Sequence, residues 1–274
     1  WNLFPNIELL RNCLMWPDIV DINDFYSSSL GRMTCQLLRR QIRRYWDNTR
    51  GMRVLGIGFV NPYLRPFLDE ATSVIAAMPS SMGAFGVGYQ RLGPGNTCCL
   101  ADECSLPFLD LSLDRVILVH SFEYTDQVNL MLREIWRVMD DGGRLLIVVP
   151  NRRGAWSHTD FTPFGHGRPY SIEQLKSTLR QSLFTPVRDT RALFIPPTRR
   201  RYWLAAAPAW EKIGARWFQV FGGVVIMEAT KQIYAGNTFN RQHQARNYVP
   251  LTGEVTQRTR IISYRNSNHG LGDI

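Results

Sequence analysis

A histidine and a glutamate follow one apolar run of this chain, at a position where they can do acid–base chemistry. The run 114–120 predicts a buried strand, and Glu123 comes shortly after its last residue, His120. An imidazole at a strand end can act as a general base or position a substrate, and Glu123 is a candidate substrate contact beside it. A hydrogen-bonded histidine inside the core explains the same residue equally well.

Aromatic and histidine side chains are concentrated in the segment 151–170. Its candidate substrate contacts are Trp156, His158 and Tyr170. This composition is typical of a loop that covers an aromatic or planar substrate. Packing of the loop against the N-terminal helix is the alternative interpretation.

A glycine turn follows the first predicted strand, 53–57, in the sequence Gly56-Ile57-Gly58. A short apolar run that ends in glycines is typical of a buried strand entering a tight turn. Ligands of open parallel sheets lie beyond the carboxyl ends of the strands. A binding cleft is therefore predicted to open at this turn.

Apolar periodicity places alternating strands and helices along the chain, which predicts a mainly parallel sheet with helices on both faces, an α/β fold. The predicted strands are 53–57, 72–77, 114–120, 144–149, 185–195 and 223–230, of which the last two are candidates for a hairpin pair. The predicted helices are 30–46, 127–139 and 171–183, and 203–217 is compatible with a helix.

Three segments in a fixed order then carry a resemblance to a known family. They are Asp102-Glu103 followed by Leu106-Pro107-Phe108, the strand that begins Leu113-Asp114-Arg115-Val116, and Arg133-Glu134-Ile135-Trp136-Arg137-Val138 ahead of Gly142-Gly143-Arg144-Leu145. In this order, and over about 20–231, the chain resembles the type 11 subgroup of class I S-adenosylmethionine-dependent methyltransferases. The resemblance implies a Rossmann-like fold, S-adenosylmethionine as cofactor and methyl transfer.

The resemblance also implies roles for the cofactor site. Gly56 and Gly58 would let the backbone approach the methionine end of the cofactor. Asp102 would accept a hydrogen bond from the adenine amino group with Glu103 beside it, and Leu106 would support the adenine face. Alignment of methyl donor and acceptor would supply much of the rate.

The glycine loop departs from the family pattern. The family usually has an acid where Gly56 stands, and later loop glycines where this chain has Val60 and Pro62. The segment 75–79 also lacks the ribose-binding acid. Two interpretations follow: an enzyme that holds its cofactor by other groups, or a catalytically inactive subunit that binds a partner.

The net charge of +9 adds a third hypothesis, an RNA methyltransferase, beside the leading one of methyl transfer to a small-molecule acceptor. Arginines cover one side of helix 30–46, and Arg199-Arg200-Arg201 precedes two aromatic residues. These cations can meet RNA or an acidic protein partner, or form an ordinary solvated surface.

The bulk composition predicts a chain with no membrane span, no secretory signal and a cytoplasmic location. Its five cysteines lack paired metal-ligand spacing, so reduced thiols and no metal site are expected. The predicted organisation is an N-terminal extension at 1–19, a methyltransferase-like domain at 20–233 and a basic, flexible tail at 234–274.

Overall fold

The structure, a computed structural model, describes residues 19–82, 97–198 and 200–233. The predicted tail and nearly all of the predicted N-terminal extension lie outside the described residues. The helices are α1 (Ile19–Ser27), α2 (Ser29–Tyr45), α3 (Asn61–Leu64), α4 (Val128–Val138), α5 (Ile172–Gln181), α6 (Arg201–Ala205) and α7 (Ala207–Trp217). The strands are β1 (Arg53–Gly58), β2 (Ser73–Pro79), β3 (Thr97–Ala101), β4 (Leu113–Val119), β5 (Met139–Pro150), β6 (Phe184–Ala192) and β7 (Val224–Lys231).

The strands form one seven-stranded sheet in the order β3-β2-β1-β4-β5-β7-β6. Strands β1 to β5 are parallel, whereas β7 runs antiparallel to both of its neighbours. The chain moves outward from β1 to β3 and then returns to place β4 on the other side of β1. Since ligands of such sheets bind where the strand order reverses, the ends of β1 and β4 define the expected site. The predicted α/β fold is confirmed.

Each face of the sheet is covered by amphipathic helices. Helix α2 begins at Ser28, whose side chain accepts a hydrogen bond from the Gly31 backbone N–H, and it buries one apolar stripe. Helix α5 begins with a capping box formed by Ser171 and Gln174. The two resulting cores lie on opposite faces of the sheet and share no residue.

Some elements were not predicted. Helix α1 begins at Ile19 and spans only 9 residues, and strand β3 is a five-residue edge strand that contains Cys98 and Cys99. Both are too short for a clear apolar period. The helix-compatible segment 203–217 is confirmed as helical but divides at Ala206 into α6 and α7.

Candidate active site

The turn after β1 requires glycine at position 58. Gly58 has a φ of +94°, and a Cβ there would lie 2.3 Å from the Val119 carbonyl oxygen at the end of β4. Both observations exclude a larger residue without a backbone shift. Helix α3 begins immediately afterwards with Pro62 in its first turn, a position that proline favours. The glycine therefore brings the ends of β1 and β4 together.

Two departures from the family pattern at this turn, Gly56 and Val60, are explained by a single change in packing. A Cβ on Gly56 would lie only 2.5 Å from Cγ2 of Val60. Val60 is fully buried, and its methyl groups occupy the space that a side chain at position 56 would need. The missing acid at position 56 and the added side chain at position 60 therefore compensate each other.

His120 lies at the centre of a buried chain of hydrogen bonds. Its Nε2 lies 2.8 Å from Oη of Tyr26, and Oη of Tyr26 lies 2.6 Å from Oη of Tyr63. Its Nδ1 lies 3.2 Å from Oε1 of Glu123. His120 has no exposed surface and adopts a φ of +52°. A non-glycine residue rarely occupies this left-handed region, and such conformations concentrate at functional sites.

Aromatic rings enclose this chain. The ring of Phe164 lies 4.6 Å from the imidazole, and the ring of Phe59 stacks on Tyr26 at 5.2 Å. Burial raises the pKa of both Tyr26 and Tyr63 well above the ordinary tyrosine value. Both phenols therefore stay neutral at physiological pH, and each can donate as well as accept a hydrogen bond.

Glu123 has one carboxylate oxygen left open. Its side chain is fully buried, and Oε2 has no hydrogen-bond partner among the residues that the structure describes. Gly167 closes over it, because a Cβ at Gly167 would lie 2.4 Å from Cγ of Glu123. A buried carboxylate oxygen without a partner costs free energy, which makes Glu123 a candidate for a contact with a ligand donor.

The acids of the β3 turn lie at the same edge of the sheet. The register pairs Pro79 with Ala101, which directly precedes Asp102. Asp102 is exposed, and its Oδ1 accepts a hydrogen bond from the Cys104 backbone N–H at 2.8 Å. Burial, with a smaller contribution from the charge of Asp102, raises the pKa of Glu103.

Leu106 is held in place by the strong ion pair of helix α4. It is buried, its backbone N–H donates to Glu134 Oε2 at 3.2 Å, and its carbonyl accepts from Arg137 Nη2 at 3.0 Å. Arg137 and Glu134 in turn contact each other at 2.8 Å. These residues belong to the segments on which the family resemblance depends, so the motif has a direct structural function: it shapes the turn after β3.

The three candidates in the loop after β5 take different positions. Trp156 is 1% exposed, and its indole N–H donates to the Ile195 carbonyl at 2.8 Å, so it lies in the core rather than on a binding surface. His158 is exposed. Tyr170 is half-buried, with its ring 5.1 Å from Phe122. The loop packs against α1 through the turn Pro163–Gly165.

Sequence reasoning missed Tyr26 and the role of Tyr63. Tyr63 belongs to the segment Asn61-Pro62-Tyr63, which begins α3. Tyr26 lies 94 residues before His120 in the chain, on the unpredicted helix α1. Only a prediction of α1, with Tyr26 on its apolar side, could have indicated it.

The residues present fit S-adenosylmethionine. Asp102 and Glu103 offer carboxylate oxygens at the end of β3, the turn at Gly58 is tight, and the open oxygen of Glu123 lies buried after β4. The segment 75–79 offers no carboxylate for the ribose. A cofactor at this site would therefore be held through the other strand ends.

The basic helix α2 uses part of its charge internally. Arg43 Nη1 donates to Glu70 Oε2 at 3.0 Å, and Arg39 donates to the Pro62 carbonyl. Arg32, Arg40 and Arg44 are exposed.

Within the described ranges, no group of three or more His, Cys, Asp or Glu residues is arranged to hold a metal ion. Helices of the described part are all too short or too polar to cross a bilayer.

Comparison with known proteins gives consistent matches. Residues 58–147 match the family described as "Methyltransferase domain". A demethylmenaquinone methyltransferase of Renibacterium salmoninarum is 26% identical over 151 residues, which is 55% of this chain and 60% of that protein. The chain thus spans less than two thirds of the curated relative it matches.

Solved structures share the fold. A possible histamine N-methyltransferase of Thermotoga maritima has a TM-score of 0.56 at 14% identity, covering 78% of this chain and 96% of that one. A putative methyltransferase of Haloferax volcanii, solved in complex with the Trm112 activator, has a TM-score of 0.56 at 15% identity, covering 79% and 99%. A methyltransferase of Archaeoglobus fulgidus has a TM-score of 0.51 at 20% identity, covering 72% and 94%.

The sheet order, the glycine turn and these matches define a class I methyltransferase domain. Over 58–147 the chain is similar to the S-adenosylmethionine-dependent methyltransferases of the type 11 subgroup, with an altered glycine loop, and S-adenosylmethionine is the cofactor that this similarity implies. The predictions of family and cofactor are confirmed.

Proposed function

We propose that this protein transfers a methyl group from S-adenosylmethionine to a small-molecule acceptor at the carboxyl edge of the sheet. The observation that carries the proposal is the buried pair of His120 and Glu123, which follows β4 beside the turn at Gly58 and keeps one carboxylate oxygen open. The curated relative is named for a small acceptor, demethylmenaquinone. This name supports the choice of a small molecule over a macromolecule.

The cofactor is proposed to lie across the ends of β1 and β3. Asp102 would accept a hydrogen bond from the adenine amino group, and Glu103 and Leu106 would border the adenine. The backbone at Gly56 and Gly58 would border the methionine end. When bound, S-adenosylmethionine supplies a methyl group on a sulfonium, which is already a strong donor.

His120 is proposed to receive the proton that the acceptor loses. Because the imidazole is fully buried, we propose that the proton reaches it through the hydroxyl of Tyr26, which lies 2.8 Å from Nε2. Tyr26 takes the proton from the acceptor while it gives its own to Nε2 of His120. Oε1 of Glu123 then stabilises the imidazolium from Nδ1, 3.2 Å away. Trp156 supports the Phe164 wall at 5.8 Å, and the predicted substrate contacts of His158 and Tyr170 stay proposals.

Calorimetric titration with S-adenosylmethionine tests this proposal. The full chain should bind the cofactor, and Asp102→Ala should weaken binding at least tenfold, since a charge-assisted hydrogen bond contributes about 1.5 to 3 kcal/mol. Asp69→Ala is the matched control, because Asp69 is an exposed acid that precedes β2 and therefore lies away from the carboxyl edge of the sheet. No binding at millimolar cofactor would contradict the proposal.

A macromolecular substrate or partner is the second candidate. The exposed cations Arg32, Arg40 and Arg44 on α2 are the observation that favours it. The Haloferax volcanii protein was solved with a protein activator, so an acidic protein is one form of such a partner and RNA is the other. Binding to bulk tRNA should weaken steeply with salt, and a flat response removes the RNA form. The predicted cytoplasmic location stays a prediction.

A further inference from the structure

One end of α7 and the turn after it expose a run of large apolar side chains. We define the aromatic rim as Ile213, Trp217, Phe218, Val220 and Phe221, whose exposed fractions are 48%, 72%, 53%, 39% and 62%. Scattered exposed apolar residues are normal in proteins. Five such residues within nine positions form a patch, and patches of this kind mark interaction surfaces.

Helix α7 is fixed to the domain by its other side. A Cβ on Gly214 would lie 2.2 Å from Cβ of Phe194, so the helix backbone packs directly on that ring. Oε1 of Glu211 accepts a hydrogen bond from the Phe194 backbone N–H at 2.6 Å. Ile213 and Trp217 lie one helical turn apart on the side that remains. Their exposure therefore follows from the way the helix packs.

Cations border the aromatic rim. Lys212 and Arg216 are exposed, lie one turn apart on α7 and alternate with Ile213 and Trp217. Arg200, just before α6, is exposed as well. The acid within α7, Glu211, is held against Phe194. The surface around the rim is therefore apolar at its centre and positive at its border.

The aromatic rim lies at the edge of the sheet that carries the candidate active site. Asn151, which directly follows β5, donates from Nδ2 to the carbonyls of Val220 and Gly222 at 3.0 and 2.7 Å. Its backbone N–H donates to the Gly223 carbonyl at 2.9 Å. The turn of the rim is thus attached to the carboxyl end of a parallel strand.

We propose that the aromatic rim docks this protein on the surface of an anionic lipid bilayer. Tryptophan and phenylalanine prefer the interface between headgroups and acyl chains, and lysine and arginine beside them meet anionic headgroups. The aliphatic Ile213 and Val220 offer nothing to a nucleic-acid base, whereas a bilayer accepts them. Membrane contact therefore explains both the apolar centre and the positive border.

Docking would hold the candidate active site close to the bilayer. An apolar acceptor dissolved in the lipid could then reach the carboxyl edge of the sheet without crossing water. This consequence rests on the proposed methyl transfer, whereas docking itself does not. The experiment below uses no cofactor, so its failure is distinguishable from a failure to bind S-adenosylmethionine.

Co-sedimentation of the full chain with vesicles tests the proposal. Phosphatidylglycerol mixed with phosphatidylcholine should bind the protein more tightly than phosphatidylcholine alone. The double variant Trp217→Ser, Phe221→Ser should lose at least tenfold in affinity for both kinds of vesicle. The double variant Lys212→Gln, Arg216→Gln should lose about 25-fold on the anionic vesicles only, at about fivefold for each charge.

Leu109→Ser with Leu130→Ser is the matched control, because these leucines are 81% and 49% exposed and lie outside the aromatic rim. It should bind as the wild type does, and thermal unfolding should show that all variants are folded. Absence of binding by the wild type overturns the proposal, as does equal loss in the control. The proposal is also overturned if the wild type binds no vesicles but forms a dimer that the Trp217→Ser, Phe221→Ser variant does not form. That result would assign the aromatic rim to a contact with a second copy of the chain.

Discussion

Two buried glutamates in this domain meet opposite surroundings. Glu228 lies inside β7, opposite Leu146 of β5, and both of its oxygens have partners: Trp46 Nε1 at 3.1 Å on one, Arg144 at 3.4 Å and Arg188 at 3.9 Å on the other. Glu123 follows β4 at the carboxyl edge, and one of its oxygens has no partner among the described residues.

The surroundings of Glu228 are typical of a residue that holds neighbouring elements together. It borders a cavity of about 510 Å³, and Arg188 lies 3.9 Å from the ring centroid of Tyr45 in the same place. The Glu228 carboxylate of β7 thus contacts Trp46 at the end of α2, Arg144 of β5 and Arg188 of β6, and the two arginines neutralise its charge. A buried charge is tolerated when it is paired and hydrogen-bonded, whereas an open one is expected where a ligand completes it. The difference supports a structural role for Glu228 and the proposed functional role of Glu123.

The same isosteric substitution at the two positions gives the largest expected contrast. Glu228→Gln should lower the free energy of unfolding by about 2 kcal/mol, because it weakens the contacts with the half-exposed arginines. Glu123→Gln should change it by less than about 1 kcal/mol, since it removes a charge that is only half-satisfied. Denaturant unfolding of both variants measures the contrast. Equal losses would show that Glu123 is structural as well.

A smaller effect on the free energy of unfolding should follow from removing one hydroxyl at the carboxyl edge of the sheet. Tyr26→Phe should cost about 1.5 kcal/mol of unfolding free energy, because it removes a partner from both His120 and Tyr63 in a buried place. Tyr45→Phe is the matched control, since the Tyr45 hydroxyl bonds to Thr190 at a half-buried position. It should cost less than about half as much. A larger loss in the control would contradict the importance of the Tyr26 chain.

The smallest effect concerns pH and a third carboxylate. Hydrogen bonds from Arg53 hold the pKa of Asp114 below its ordinary value. A carboxyl with a depressed folded pKa contributes stability above its unfolded pKa of about 4 and loses it as the pH falls through the folded pKa. Wild-type protein should therefore lose up to about 1 kcal/mol more than Asp114→Asn on acidification below about pH 4. Asp126→Asn, at an exposed pair, should retain the wild-type slope.

The sequence by itself determined the order of the elements and the edge of the sheet at which the candidate site lies. Apolar periodicity is local, so it located β1, β4, α2 and α4 closely, and the parallel order placed His120 at the same edge as the glycine turn. The order of the motifs also indicated Asp102 and Glu103, the acids of the turn after β3, as site residues. All of these depend on spacing within one element or between neighbours.

Only the tertiary structure decided which side chains meet. Trp46 and Glu228 are separated by 182 residues, and Tyr26 and His120 by 94. No local pattern encodes such pairs, because the helix or strand that contains each residue forms equally well with any distant partner of similar size. The insertion of β7 between β5 and β6 is of the same kind. Whether a buried carboxylate is satisfied or open, and therefore whether it stabilises or binds, is fixed by these distant contacts.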